Sequence, residues 1–172
     1  TSAGMRVHRA SNVAQATTQV VQLLQEAEIK ELLVGDSGLV GQSDMASALR
    51  TEGILIERWS QLESPSKKAF DFSAALTGVD YALAETGSLV IWPSVAQGRL
   101  VSLAPALHIA VVSKDQILPD LIDLAQRLGA GGMPPQLNII TGPSKTADIE
   151  LNLVKGVHGP GAVEIILVDA AS

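Results

Sequence analysis

The residues best suited to chemistry are Thr141, Gly142, Pro143, Ser144, Lys145 and Thr146, which follow an apolar run at residues 137–140 and lead into a helical pattern. A strand, a tight turn and a helix start in that order present backbone N–H groups and the positive end of a helix dipole to an anion. Gly142 permits close backbone approach, Pro143 stiffens the turn, and Ser144 or Thr146 can cap the helix while Lys145 adds a positive charge at its mouth. An ordinary capped strand-to-helix connection has the same local pattern. Lys145-Thr146 matches the end of a Walker A loop, but no glycine stands immediately before Lys145 and the first glycine of that motif is missing, so the phosphate cradle is incomplete.

Three further side chains are candidates for catalytic roles. Glu85 lies in Glu85-Thr86-Gly87, a turn between two β-like runs, where a carboxylate is held at a rigid strand end; acid–base work and simple hydrogen bonding to backbone both fit it. Arg99 is the one basic residue between Lys68 and Lys114, and its planar fork suits a carboxylate or phosphate as well as solvent. His158, in Gly156-Val157-His158-Gly159-Pro160, falls beside the next strand. His108, at the amino end of another strand, reads as a structural histidine. Because strand carboxyl ends share one edge of a parallel sheet, Glu85, Arg99 and the turn at 141–144 are expected to converge on one cleft there.

The elements that must position these residues can be traced along the chain. A strand at 5–8 precedes a helix from the Asn12 cap, with Gln15 three residues on, to about Ala27; its apolar face is Ala16, Val20, Leu23, Leu24 and Ala27. Strands at 32–34 and 54–57 flank a helix at 43–51 that Gly53 closes. A polar loop covers 59–68 and a short helix is predicted at 69–76, ending at Gly78. After the hairpin around Glu85 come a strand at 108–112 and an amphipathic helix starting at Asp115 or Pro119, with Leu118, Leu121, Ile122, Ala125 and Leu128 inward. The central strand at 137–140, a helix at 146–154 and a last buried strand at 163–168 complete the chain. Ala147, Leu151 and Val154 mark one apolar face of that helix and Ile149 and Leu153 another, which suits a helix wedged between layers or used at a subunit contact, so a homo-oligomer is open.

The 172 residues, 47% hydrophobic and only 3% aromatic, suit one α/β domain over 1–172: a mostly parallel sheet flanked by helices. A formal charge of −6 disfavours nucleic acid and anionic membrane surfaces as partners. The absence of cysteine excludes disulfides and cysteine-ligated clusters in this chain, and three widely spaced histidines give no metal-pair spacing. With no apolar run long enough for a membrane helix and no signal-peptide core in TSAGMRVHRA, a cytoplasmic protein is expected.

Ala84-Glu85-Thr86-Gly87, Arg99, the run Leu-Ala-Pro-Ala-Leu-His-Ile from Leu103, and TGPSKTADIE with GVHGP together resemble the lactate utilisation protein C family, the LUD-domain proteins. The resemblance runs from Met5 to Asp169. It implies a fold similar to the ribose-phosphate isomerase and CoA-transferase superfamily and a role in oxidising L-lactate to pyruvate. It also implies partner subunits carrying iron–sulfur clusters, with this chain itself holding no redox centre and binding a small anionic metabolite. A self-sufficient isomerase or transferase acting on a phosphorylated or CoA-linked metabolite is the alternative that fold analogy suggests.

Overall fold

The run Ala74–Gly78 is buried at every position, so it needs cover on both faces, the situation of a strand inside a parallel sheet with layers on each side. The computed structural model describes residues 3–131, 134–144 and 159–169. Its large sheet contains β1 (Arg6–Ala10), β2 (Glu31–Val34), β3 (Leu55–Arg58), β4 (Ala74–Gly78), β7 (Leu107–Ser113) and β10 (Ala162–Val168), in the order β1-β10-β7-β4-β2-β3. All five pairings are parallel. A smaller sheet contains β5 (Tyr81–Leu83), β6 (Ser88–Ile91), β8 (Ile117–Leu118) and β9 (Asn138–Ile140), in the order β8-β5-β6-β9. There β6 runs antiparallel to both β5 and β9.

Four layers result. Helices α1 (Val13–Glu26), α2 (Gly38–Gln42) and α3 (Met45–Thr51) cover one face of the large sheet through Val20, Leu24, Val40 and Leu49 packed on Ile109 and Ile166. The small sheet covers part of the other face, where Leu89 and Ile91 meet Val79, Val112 and Ile165. Outside it lies α5 (Leu121–Gly131), whose Leu124 and Leu128 pack on Leu83, Val90 and Leu118. The short helix α4 (Pro65–Lys68) sits in the polar connection after β3. Capping fixes the ends as the sequence indicates: Asn12 Oδ1 accepts from the Gln15 N–H at 2.9 Å, and Gln15 Oε1 reaches back to the Ser11 N–H at 2.7 Å.

Three sequence expectations are corrected. Residues 69–76 do not form a helix: a 3₁₀ turn at Ala69–Asp71 is followed by β4, a central strand of the large sheet. A strand buried on both faces has no alternation to reveal it, and its Ala-Ala-Leu composition is equally good for a helix. The strand at 137–140 is β9, at the edge of the small mixed sheet and not within the large parallel one. In α5 the residues Leu121, Ile122 and Ala125 are exposed, because the helix packs on the small sheet through Leu124 and Leu128, while Asp120 Oδ1 caps its start by accepting the N–H groups of Ile122 and Asp123. The predicted helix at 146–154 lies outside the described residues.

A candidate ligand cleft at one edge of the small sheet

β5 and β9 both oppose β6, so they run in the same direction and their carboxyl ends emerge at one edge of the small sheet. Glu85 follows β5 and Thr141 follows β9. They meet in a cleft of about 660 Å³ lined by Ala3, Glu85, Thr86, Ile139, Thr141, Gly142 and Pro143. Glu85 and the Thr141 turn, 56 positions apart in number, are therefore brought together as the chain order alone cannot show.

The Glu85 turn is held by backbone. The N–H of Ala84 donates to Leu118 O and that of Glu85 to Pro119 O, each at 2.9 Å, while Gly87 closes the turn onto Leu83 O at 2.8 Å with a φ of 68° that favours glycine. On the opposite wall, a Cβ on Gly142 would stand 2.4 Å from Ala3 O, so the close approach of these two segments requires glycine. The Ser144 N–H donates to Pro160 O at 2.8 Å, which ties the turn to the segment entering β10.

Hydroxyls join the two walls. Thr86 Oγ1 lies 2.7 Å from Ser88 Oγ, which lies 2.9 Å from Thr141 Oγ1. Ser88 is only 2% exposed, whereas both threonines open onto the cleft. Ser88 and Thr86 are not among the candidates that the sequence singles out. Their signal was present in Thr86-Gly87-Ser88, two hydroxyls spaced across a tight turn, but their link to Thr141 is a tertiary contact.

The remaining candidates fall elsewhere. Arg99 does not join Glu85: it lies in a 3₁₀ turn, Arg99–Val101, and lines a separate depression with Trp59, Ser66, Ser94 and Gln136. Gly98 presses so closely on Trp59 that a Cβ would stand 2.0 Å from its ring, and that packing carries Arg99 away from the hairpin. Lys145, Thr146 and His158 lie outside the described residues. His108 is fully buried in β7, with Nε2 2.8 Å from Thr77 Oγ1, and burial lowers its pKa to about 4. It is a neutral structural imidazole at pH 7.

The cleft is also not at the carboxyl edge of the large sheet, where the sequence placed it. Its neighbours Ala3 and Pro160 lead into β1 and β10, at the amino ends of those strands. The connections of β2 and β4 leave in opposite directions, which makes their carboxyl ends the usual ligand crevice of an open α/β sheet. Here that crevice is filled by the chain itself. Asp36 donates its N–H to Ala96 O at 3.0 Å, Gln97 Nε2 donates to Gly78 O at 3.3 Å, and the Asp36 carboxylate pairs with Arg58 and accepts from Ser60 Oγ. Among the described residues no group of three or more His, Cys, Asp or Glu could hold a metal ion.

These features define an open parallel α/β domain carrying an appended small sheet, with a hydroxyl-lined cleft at the edge of that second sheet. The chain belongs to the LUD domain family, whose model matches residues 1–168. It is similar to Lactate utilization protein C of Halalkalibacterium halodurans, with 33% identity over 152 residues, covering 86% of this chain and 66% of that protein. The protein of the same name from Bacillus subtilis is 40% identical over 125 residues, covering 69% of this chain and 52% of the relative. The chain thus spans about half to two thirds of the length of these relatives. A crystal structure of a DUF162 family protein from Deinococcus radiodurans superimposes with a TM-score of 0.72 at 25% identity, covering 96% of this chain and 89% of that one.

Proposed function

We propose that this chain acts in lactate utilisation as the component without a redox centre, and that its Glu85–Thr141 cleft holds the carboxylate of a small anionic metabolite. The similarity to relatives named Lactate utilization protein C carries the reading. The cleft supports it in kind. The Thr141 hydroxyl stands at a strand end on the wall of the cleft, where it can donate a hydrogen bond to a bound carboxylate. Because the chain has no cysteine, electrons leaving lactate pass in this reading to iron–sulfur clusters in partner subunits. In this reading the complex works in the cytoplasm.

The test has two arms. In a thermal-shift panel of L-lactate, phosphate, a sugar phosphate and coenzyme A at constant ionic strength, lactate is expected to stabilise the protein. Saturation at about 100 times the dissociation constant adds roughly 2.7 kcal/mol. Thr141→Val, which keeps the shape and removes the hydroxyl, should reduce the shift. In the second arm, lactate-dependent dye reduction is expected only after addition of the iron–sulfur partner subunits. Dye reduction by the isolated chain, or stabilisation by a sugar phosphate or coenzyme A alone, would favour a self-sufficient enzyme of another class.

A further inference from the structure

The cleft holds one charged side chain among its described lining residues, and it is a carboxylate, Glu85. That is a poor environment for a ligand made only of acceptors. The chain Thr86–Ser88–Thr141 sharpens the point through its protons. Three hydroxyls carry three protons, and two hydrogen bonds consume two of them. If both threonines donated inward, the proton of buried Ser88 would be left without an acceptor, at the cost of an unsatisfied buried donor. The favourable arrangements are therefore directional, with one end of the chain donating into the cleft and the other presenting lone pairs only.

A carboxylate at the Thr141 turn selects one direction. Thr86 then donates to Ser88, Ser88 to Thr141, and Thr141 to the ligand, which leaves Thr86 as an acceptor in the cleft that Glu85 also lines. The two threonine oxygens are no farther apart than two hydrogen bonds of 2.7 and 2.9 Å laid end to end, a span that one small acid bridges with a contact at each end. The far end of such a ligand meets acceptors and must itself be a donor.

We propose that this cleft takes a 2-hydroxy acid in preference to the corresponding 2-oxo acid, with Glu85 as the specificity-determining residue that accepts the hydroxyl proton in a hydrogen bond. The inference rests on the reading of the cleft as a carboxylate site. A 2-hydroxy acid supplies an acceptor carboxylate for Thr141 and a donor hydroxyl for Glu85. A 2-oxo acid supplies oxygens at both ends, and its keto oxygen faces a carboxylate with no proton between them. The site thus holds the reduced member of the couple and releases the oxidised one.

Isothermal titration of the full chain with L-lactate, pyruvate and propionate, at one pH and one ionic strength, tests this. Lactate is expected to bind about tenfold more tightly than either of the others, the size of one hydrogen bond to a charged but solvent-accessible partner. In Glu85→Gln the amide can donate to a keto oxygen, so pyruvate should gain and the lactate-to-pyruvate ratio should fall to about one. Glu85 is exposed, and circular dichroism should show the variant folded. Equal binding of lactate and pyruvate to the unaltered chain, or a ratio unchanged in Glu85→Gln, overturns the specificity while leaving a carboxylate site. Binding of none of the three acids removes the carboxylate site and the specificity together.

Discussion

His108 gives a worked prediction for how this fold responds to pH. Its imidazole is fully buried between neighbouring strands, and the change from 6.5 to about 4 is caused by desolvation of the charged form. The unfolded chain takes up a proton at this residue near pH 6.5, whereas the folded chain resists until about pH 4. Between those values the unfolded state binds more protons, so stability falls as pH falls, and the loss is complete below about pH 4. At 1.36 kcal/mol per pH unit the full loss is about 3 kcal/mol. Asp80 acts in the opposite sense: burial raises its pKa, so it adds stability as pH drops through the folded-state value. Urea unfolding of the wild type and His108→Gln at closely spaced pH values from 4 to 7.5 isolates the histidine. Glutamine keeps a partner for the Thr77 hydroxyl and cannot titrate. The variant should be less stable at pH 7, and the difference should shrink steadily on acidification. Parallel profiles for the two proteins would refute the assignment of a buried neutral histidine.

Other substitutions probe packing and the cleft. Gly78→Ala places a Cβ 2.1 Å from Ser37 O and should cost about 1–3 kcal/mol by overpacking. Gly53→Ala has nothing within 4 Å of the new Cβ, so chemical denaturation should report only the left-handed backbone cost of about 1–2 kcal/mol. Leu124→Ala, at a side chain 2% exposed, should destabilise by about 2–5 kcal/mol, whereas Ile122→Ala, 67% exposed on the opposite side of the same helix, should stay within about 0.5 kcal/mol. Ser88→Ala breaks the hydroxyl chain at its centre. It should cost about 1 kcal/mol of stability and weaken lactate binding in calorimetry without changing the fold.

The parts of this fold that the sequence reveals are those governed by local chemistry. The Asn12 cap and the stripe Ala16, Val20 and Leu24 define α1 because each spacing has one periodic interpretation. Gly87 marks the hairpin because the turn requires positive φ. β4 escapes because it is buried on both faces by distant elements, and nothing in Ala74–Gly78 itself separates a strand from a helix. β9 is legible as a strand, but not its sheet: three residues followed by a Gly-Pro turn look alike at the edge of either sheet, and only pairing with β6 decides between them. The cleft was half legible. Glu85 and Thr141 each announce a strand end, whereas the shared sheet edge that was to bring Arg99 to them does not do so, because Arg99 lies in a 3₁₀ turn next to Gly98, which packs against Trp59.

The central claim is that a small carboxylate occupies the Glu85–Thr141 cleft, and amide chemical-shift mapping during titration with L-lactate addresses it most directly. The account predicts saturable shifts centred on residues 85–88 and 141–144, the two walls joined through Ser88. The same titration of Thr141→Val should show them much reduced. Shifts centred instead on the Arg99 depression or on the groove beside β3 at Arg50, Leu55 and Phe72, or no saturable shifts at all, would contradict it.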